Sequence, residues 1–287
     1  MLLKIALLPN LTRHFALQVT KDVCAYLDSL GVTYGFEETL RGNLDTHGIF
    51  LPTDTLLSEA DAVIAIGGDG SLIHAAKKAV EYGKPVLGVN AGNLAFMAGV
   101  EKNELHLLGE LISGNYTTDR RMMLDVFCRR QGDKTSLYLG HCINDVVVAR
   151  GEQIKLIDLT VTADGKLVNR YYADGIILST PTGSTAYSLS AGGPVVDPRI
   201  ESILLTPICT HSLFARSLIF ESSAEICVEI PQDGEDIYIS CDGDASVRVE
   251  PGSTLTVKRA QKSAAFIRIK PDSFIDVLNS KLSQRRA

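Results

Sequence analysis

The sequence has no tryptophan, no Cys-x-x-Cys, no His-x-x-x-His and no excess of positive charge. Each absence removes a class of function. The six cysteines (Cys24, Cys128, Cys142, Cys209, Cys227 and Cys241) are scattered, so they read as separate reduced thiols and not as a disulfide frame or a structural zinc site. A net charge of −6 argues against a general nucleic-acid binder, which needs a basic face, but leaves room for a local site that takes a small anion. No run approaches the roughly 18–20 apolar residues of a membrane span. The opening Met1 to Asn10 is a short apolar run broken by Lys4 and closed by Pro9. It lacks the charged start, length and cleavage site of a signal peptide, so it reads as a buried strand of a cytoplasmic protein. The basic end, Lys281 to Ala287, reads as a solvated tail. No Gly-x-x-x-x-Gly-Lys-Ser/Thr occurs, and Ile73 stands where a dinucleotide fingerprint needs its third glycine. Neither a phosphate-binding loop of that type nor a standard dehydrogenase is expected.

What is present is 45% apolar residues over 287 positions, enough for one large domain or two of ordinary size. The first third alternates apolar runs with helical spacing. Lys4–Leu8, Ala62–Ile66 and Pro85–Val89 read as strands, Thr12–Leu30 and Ser71–Tyr82 as helices. Continuous apolar strands separated by helices indicate a parallel sheet covered on both faces, a three-layer, Rossmann-like α/β domain. Near residue 120 the pattern changes to short strands in succession: Leu124–Arg129, Ser136–Leu139, Asp145–Ala149, Leu156–Val161, Gly175–Ser179, Glu225–Ile230, Ile237–Ser240, Thr254–Lys258 and Ala265–Ile269. Turn signals at Ala163-Asp164-Gly165, Gln232-Asp233-Gly234 and Pro251-Gly252 separate several of them. The expected architecture is an α/β domain over residues 1–120 and an all-β, sandwich-like domain over residues 121–264.

Two segments carry chemistry. In the first, a buried strand ends at Ile66, Gly67-Gly68-Asp69-Gly70 makes a turn, and a helix starts near Ser71. Clefts in open α/β sheets form at the carboxyl ends of strands, so this turn is placed to meet a ligand. Glycines let the main chain approach phosphate closely, and a helix start offers free N–H groups. A carboxylate there would repel anions, but it suits a hydroxyl that must lose a proton to attack phosphorus. The same turn also suits a plain helix start capped by Asp69. In the second segment, the strand Gly175–Ser179 follows Asp174 and runs into Thr180-Pro-Thr-Gly-Ser-Thr-Ala-Tyr-Ser-Leu-Ser-Ala-Gly-Gly-Pro194. That stretch offers many hydroxyls and amides at little steric cost, which suits phosphate and ribose. Asn90 to Phe96, Asn144-Asp145 and Ser240-Cys-Asp242-Gly-Asp244 are polar clusters at strand ends that, singly, read as turns.

Together these residues resemble the NAD kinase family. Gly67-Gly68-Asp69-Gly70 is similar to its first signature, shared more loosely with phosphofructokinases and diacylglycerol kinases. Asp174 to Pro194 resembles its longest signature almost residue for residue, and Pro207 to Leu213 resembles a third stretch. The resemblance implies phosphoryl transfer from ATP or inorganic polyphosphate to the adenosine-ribose 2′-hydroxyl of NAD, giving NADP. It implies Asp69 as the base, and NAD contacts from Asp69, Gly70, His74, Phe96, Asn144, Asp145, Lys155, Tyr172, Asp174, Thr185, Ala186, Tyr187, Ser188, Leu189, Ser190 and Asp244. The donor phosphates are expected at Gly67, Gly68, Gly70, Ser71 and Asn90. Mg2+ is expected to arrive on those phosphates without a side-chain cluster of its own. A homodimer or homotetramer is implied, with residues 265–287 returning to the first domain. Four positions depart from the family pattern: Asp145 for Glu, Ala95 for Gly, Tyr172 for Arg and Asp244 for Gln.

Overall fold

A computed structural model describes residues 4–13, 15–92, 95–152, 155–212, 216–233, 236–271 and 273–284, with side chains to 280. Gly234 of one expected turn, Asn93 and Leu94 of the loop after Asn90, Leu213 of the third resembling stretch and the last three residues of the basic tail lie outside the described residues. The chain forms two compact units, residues 1–120 with 264–287, and residues 121–263.

The first unit contains strands β1 (Lys4–Pro9), β2 (Thr33–Glu37), β3 (Ile49–Leu51), β4 (Ala62–Gly67), β5 (Val86–Asn90) and β6 (Val100–Glu101). Its helices are α1 (Ala16–Ser29), α2 (Thr53–Glu59), α3 (Asp69–Val80) and α4 (Leu108–Ser113). The strands pair in parallel in the order β5-β4-β1-β2-β3, with β6 on the outer side of β5. Every residue of β4 and β5 is buried, because helices cover both faces. Ile5, Leu7, Ile64 and Ile66 face a core that includes Val19, Val23 and Leu27 of α1. On the other face, a methyl on Gly88 of β5 would lie 2.9 Å from Leu72 of α3. That close approach is why the strand carries a glycine there. Helix α3 begins at Asp69, two residues before the expected start. Asp69 therefore sits in the first helical turn, where a carboxylate is favoured by the helix dipole.

The second unit is all β. Its strands are β7 (Thr117–Arg129), β8 (Leu137–Cys142), β9 (Asp145–Arg150), β10 (Ile157–Ala163), β11 (Lys166–Ala173), β12 (Gly175–Ser179), β13 (Ser202–Ile208), β14 (Leu218–Glu221), β15 (Ile226–Glu229), β16 (Ile237–Cys241), β17 (Val247–Val249) and β18 (Thr254–Arg268). β7 and β18 run on into the first unit, which also holds helix α6 (Phe274–Gln284); the short helix α5 (Tyr187–Ser190) is in the second. One sheet has the order β14-β13-β12-β9-β16-β17, and a second runs β11-β10-β15-β18 with β7 and β8 beyond. Their inward residues, among them Val146, Val148, Ile176, Leu178, Leu159, Val161, Val228 and Leu255, share one core, as a sandwich requires. The two strands expected at Thr254–Lys258 and Ala265–Ile269 are one continuous strand, β18. The intervening Gln261-Lys262-Ser263 is polar, yet polar residues are carried in a strand wherever one face meets water. The β10–β11 hairpin turns on Asp164 and Gly165, both at positive φ (50° and 74°), the geometry that Asp-Gly favours. β2, β3, β6, β11, β13, β14 and β17 were not expected from the sequence; β11 (Lys166–Ala173) is half polar and reads as a loop without its partner.

Candidate active site

The carboxyl ends of β1, β4 and β5 lie side by side in the first unit. Asn10 follows β1, Gly67 ends β4 and Asn90 ends β5, with Gly67 and Asn90 directly paired. Main-chain bonds lock this edge: Asn10 N–H to Ile66 C=O (2.9 Å) and Ala91 N–H to Gly67 C=O (3.0 Å). Asn10 donates its amide to Ser71 Oγ (3.0 Å) and accepts from Thr12 Oγ1 (2.6 Å). A methyl on Gly67 would stand 2.3 Å from Ser71 Oγ, so only glycine fits there, whereas Gly68 and Gly70 face open space. Asn90 is fully buried; it donates to Glu101 Oε2 (2.8 Å) and accepts from Gly92 N–H (2.9 Å).

Asp69 does not cap α3; Gly68 holds the cap position and no side chain bonds to it. Its two oxygens instead accept the main-chain N–H groups of Phe96 (2.8 Å) and Met97 (2.9 Å). An ionised carboxylate has about four lone-pair positions. The two amides fix the plane of the carboxylate. Ala95, one residue before this contact, is buried and is not among the residues at positive φ, which explains how alanine replaces glycine there. His74 and Gly70 are exposed on the same helix.

The second unit has its own polar centre. Asp242, at φ 53° in the turn after β16, accepts the main-chain N–H groups of Ile143 (2.8 Å), Asn144 (2.7 Å) and Asp145 (3.2 Å). Thr180 completes the hold: its N–H reaches Asn144 C=O (2.8 Å) and its hydroxyl reaches Ile143 C=O (2.6 Å). Gly183 packs so tightly on Asn144 that a methyl would be 2.1 Å from the Asn144 carbonyl oxygen. The hydroxyl-rich segment is thereby fastened to the Asn144-Asp145 pair. Asp145 is only 5% exposed. Burial, and then the charge of Asp242, push its carboxyl up to about 7, against a smaller opposing hydrogen bond from the Tyr187 main chain.

The other residues expected from the sequence in this unit are held by separate local contacts. Thr185, Ala186 and Leu189 are half-buried, while Tyr187 and Ser190 are exposed at α5. Ser188 is fully buried and bonds to Thr206 Oγ1 (2.9 Å). Asp174 pairs with Arg150 (2.6 Å). Tyr172 is 52% exposed and meets the His211 ring edge-on at 6.4 Å. Asp244 and Lys155 are exposed, Asp244 accepting from Ser240 through its carbonyl (2.7 Å). Sequence reasoning missed Asn10, Arg150 and the buried Arg121, which donates to Thr182 Oγ1 (3.1 Å), and it read Asp242 only as part of a turn. An Asp-Gly pair after a strand, at Asp242-Gly243, was the one available signal, and it reads equally as a hairpin turn. Among the described residues no group of three or more His, Cys, Asp or Glu could hold a metal ion, and no helix is long and apolar enough to cross a membrane.

A parallel sheet whose carboxyl edge presents an amide-held carboxylate beside glycines defines a class of α/β enzyme: one that works on a phosphorylated ligand and can take a proton from a hydroxyl. Comparison with known proteins gives the family within that class. Residues 7–116 match the model of the ATP-NAD kinase N-terminal domain, and residues 143–269 match that of the ATP-NAD kinase C-terminal domain. The chain is 35% identical over 281 residues to an NAD kinase of Symbiobacterium thermophilum, covering 98% of this chain and 99% of that one. It is 36% identical over 265 residues to an NAD kinase of Geobacter sulfurreducens, covering 92% of each. Among solved structures, yeast NADH kinase complexed with NADH superposes with a TM-score of 0.88 at 25% identity, covering 100% of this chain and 89% of that one. An NAD kinase from Archaeoglobus fulgidus in complex with ATP shares the fold, with a TM-score of 0.75 at 22% identity over 99% of each chain. The chain belongs to the NAD kinase family.

Proposed function

We propose that this chain phosphorylates NAD to NADP with ATP as donor, and that Asp69 is the base for the adenosine-ribose 2′-hydroxyl. The observation that carries the role of Asp69 is its carboxylate, oriented by the Phe96 and Met97 amides at the glycine turn that ends β4. As the hydroxyl oxygen bonds to the terminal phosphorus, its proton passes to Asp69 and the bridging P–O bond breaks to release ADP. Gly67, Gly68, Gly70, Ser71 and Asn90 receive the donor end. The main chain at this glycine turn is open enough for close approach of phosphate, with space beside Gly68 and Gly70.

In the same reading Asn144, Asp145, Asp174 and the Thr185–Ser190 segment bind the dinucleotide, with His74, Phe96, Lys155, Tyr172 and Asp244 as further contacts. Asp145 binds ribose hydroxyls as an acceptor, which favours its ionised form. In this reading a divalent cation, Mg2+, is carried with the donor phosphates and neutralises their charge. Six free cysteines suit a cytoplasmic protein, and the family resemblance suits a homodimer or homotetramer. One assay tests the reading. Purified protein is given NAD or NADH with ATP or polyphosphate, and NADP(H) formation is followed with and without EDTA. NADP from NAD and ATP, lost on chelation, is expected; no NADP(H) from any pairing would overturn it.

A further inference from the structure

A cleft of about 370 Å³ opens beside the glycine turn, between the carboxyl ends of β1 and β2 and the outer side of α3. Leu8, Pro9, Ala75 and Gly70 supply its apolar and main-chain walls, and Asn10 and Ser71, already joined to each other, supply hydroxyl and amide groups. Its charged side chains are Arg13, Lys78 and Glu37, with His74 at the rim. Glu37 holds Lys78 at 2.7 Å and also accepts from Thr53 (2.9 Å), which fixes the ammonium in the wall. Arg13 is exposed and its side chain makes no ion pair among the described residues. In a chain of net charge −6, this is a local concentration of donors and positive charge next to the proposed base.

We infer that this cleft takes the phosphoanhydride chain of the phosphoryl donor, with Arg13 and Lys78 as binding residues and Glu37 as a positioning residue for Lys78. The inference rests on the proposed function above. Three features support it. A ligand in an open α/β sheet lies outside the carboxyl ends of the strands, where Asn10 stands. The cleft wall includes Gly70 and Ser71, so an anion chain lying in it ends at the turn that carries Asp69. Arg and Lys differ in a useful way: a guanidinium forks onto two phosphate oxygens, while a fixed ammonium acts as a point charge. The shared chemistry is a linear chain of phosphates, which ATP and inorganic polyphosphate both offer.

Initial rates with ATP, or with polyphosphate, at saturating NAD separate the possibilities in Arg13→Ala, Lys78→Ala and the double variant. Arg13 is exposed, so its variant keeps the fold; a thermal melt checks Lys78→Ala, which removes the ion pair of Glu37. A rise in donor KM of about tenfold for each single variant is expected, with the KM for NAD within twofold. Titration with a non-hydrolysable ATP analogue should show the same loss of affinity. A rise for both donors assigns the cleft to the phosphate chain of either. A rise for ATP, with wild-type protein idle on polyphosphate, assigns it to the nucleotide. Donor KM unchanged within twofold in Arg13→Ala, while wild-type protein makes NADP, would overturn the cleft and leave the function standing. Wild-type protein that makes no NADP would overturn the function itself.

Discussion

Two carboxylates anchor the two units, and they are held in opposite ways. Asp69 lies half-buried at a helix start, with its charge satisfied by two main-chain amides. Asp145 is buried, faces the like charge of Asp242, and carries its proton up to about pH 7. Asp242, its neighbour, spends its own charge on three amides of the Ile143–Asp145 turn. The same side chain is thus a poised acceptor, a protonatable group or a structural clamp, according to how many donors surround it and how much water reaches it. A base must reach the hydroxyl of its substrate, and the half-buried Asp69 suits that role better than the buried Asp145.

Alanine substitutions should pull these roles apart. Asp69→Ala is expected to lower kcat by about a thousandfold, with the KM for NAD changed only a few-fold, because a base contributes roughly 10²–10⁴ to rate. Asp145→Ala should do the reverse, raising the KM for NAD about tenfold with the smaller effect on kcat; steady-state kinetics on both variants checks the split. Asp242→Ala should act on folding. Three main-chain donors lose their acceptor, at a cost of about 3 kcal/mol or more, measurable by urea denaturation.

The pH dependence sharpens the contrast further. The usual value for Asp145 is 3.8 and its folded value is about 7, so the folded protein binds the extra proton between these limits. Stability from this group therefore falls as pH rises from about 4 to about 7, and Asp145→Asn should flatten that slope in urea melts taken at successive pH values. Since a ribose hydroxyl favours the ionised form, NAD affinity of the native protein should rise through pH 7, and that rise should vanish in Asp145→Asn. The smallest effects concern the glycines. Gly67→Ala drives a methyl against Ser71 and should cost about 1–3 kcal/mol. Gly70→Ala has open space and a helical position, so stability should rise by about 0.5–1 kcal/mol even as donor binding weakens.

Much of the fold was legible because its signals are local. Ala-Val-Ile-Ala-Ile at residues 62–66 can only be a strand buried on both sides, and Asp164-Gly165 specifies its hairpin. β11 and β14 were not legible, since Lys166–Ala173 is half polar and Leu218–Glu221 is four residues long; pairing, not composition, makes them strands. The division was similar at the site. Asp69 stands in a glycine motif that declares itself, though its partners at residues 96 and 97 are 27 and 28 positions away. The Asp242 clamp joins residues about 98 apart, and no spacing rule reaches that far. Arg13 carried no signal at all, because a cleft wall is a property of three elements brought together.

The central claim is that Asp69 takes the proton of one ribose hydroxyl, and Asp69→Asn tests it most directly. The amide is isosteric and can still accept one of the two main-chain N–H groups, but it cannot take a proton. NAD binding measured by calorimetry, and NADP formation measured with saturating ATP and magnesium, should come apart. The account predicts NAD affinity within a few-fold of wild type and NADP formation reduced by at least a hundredfold. NADP formation at the wild-type rate would contradict it.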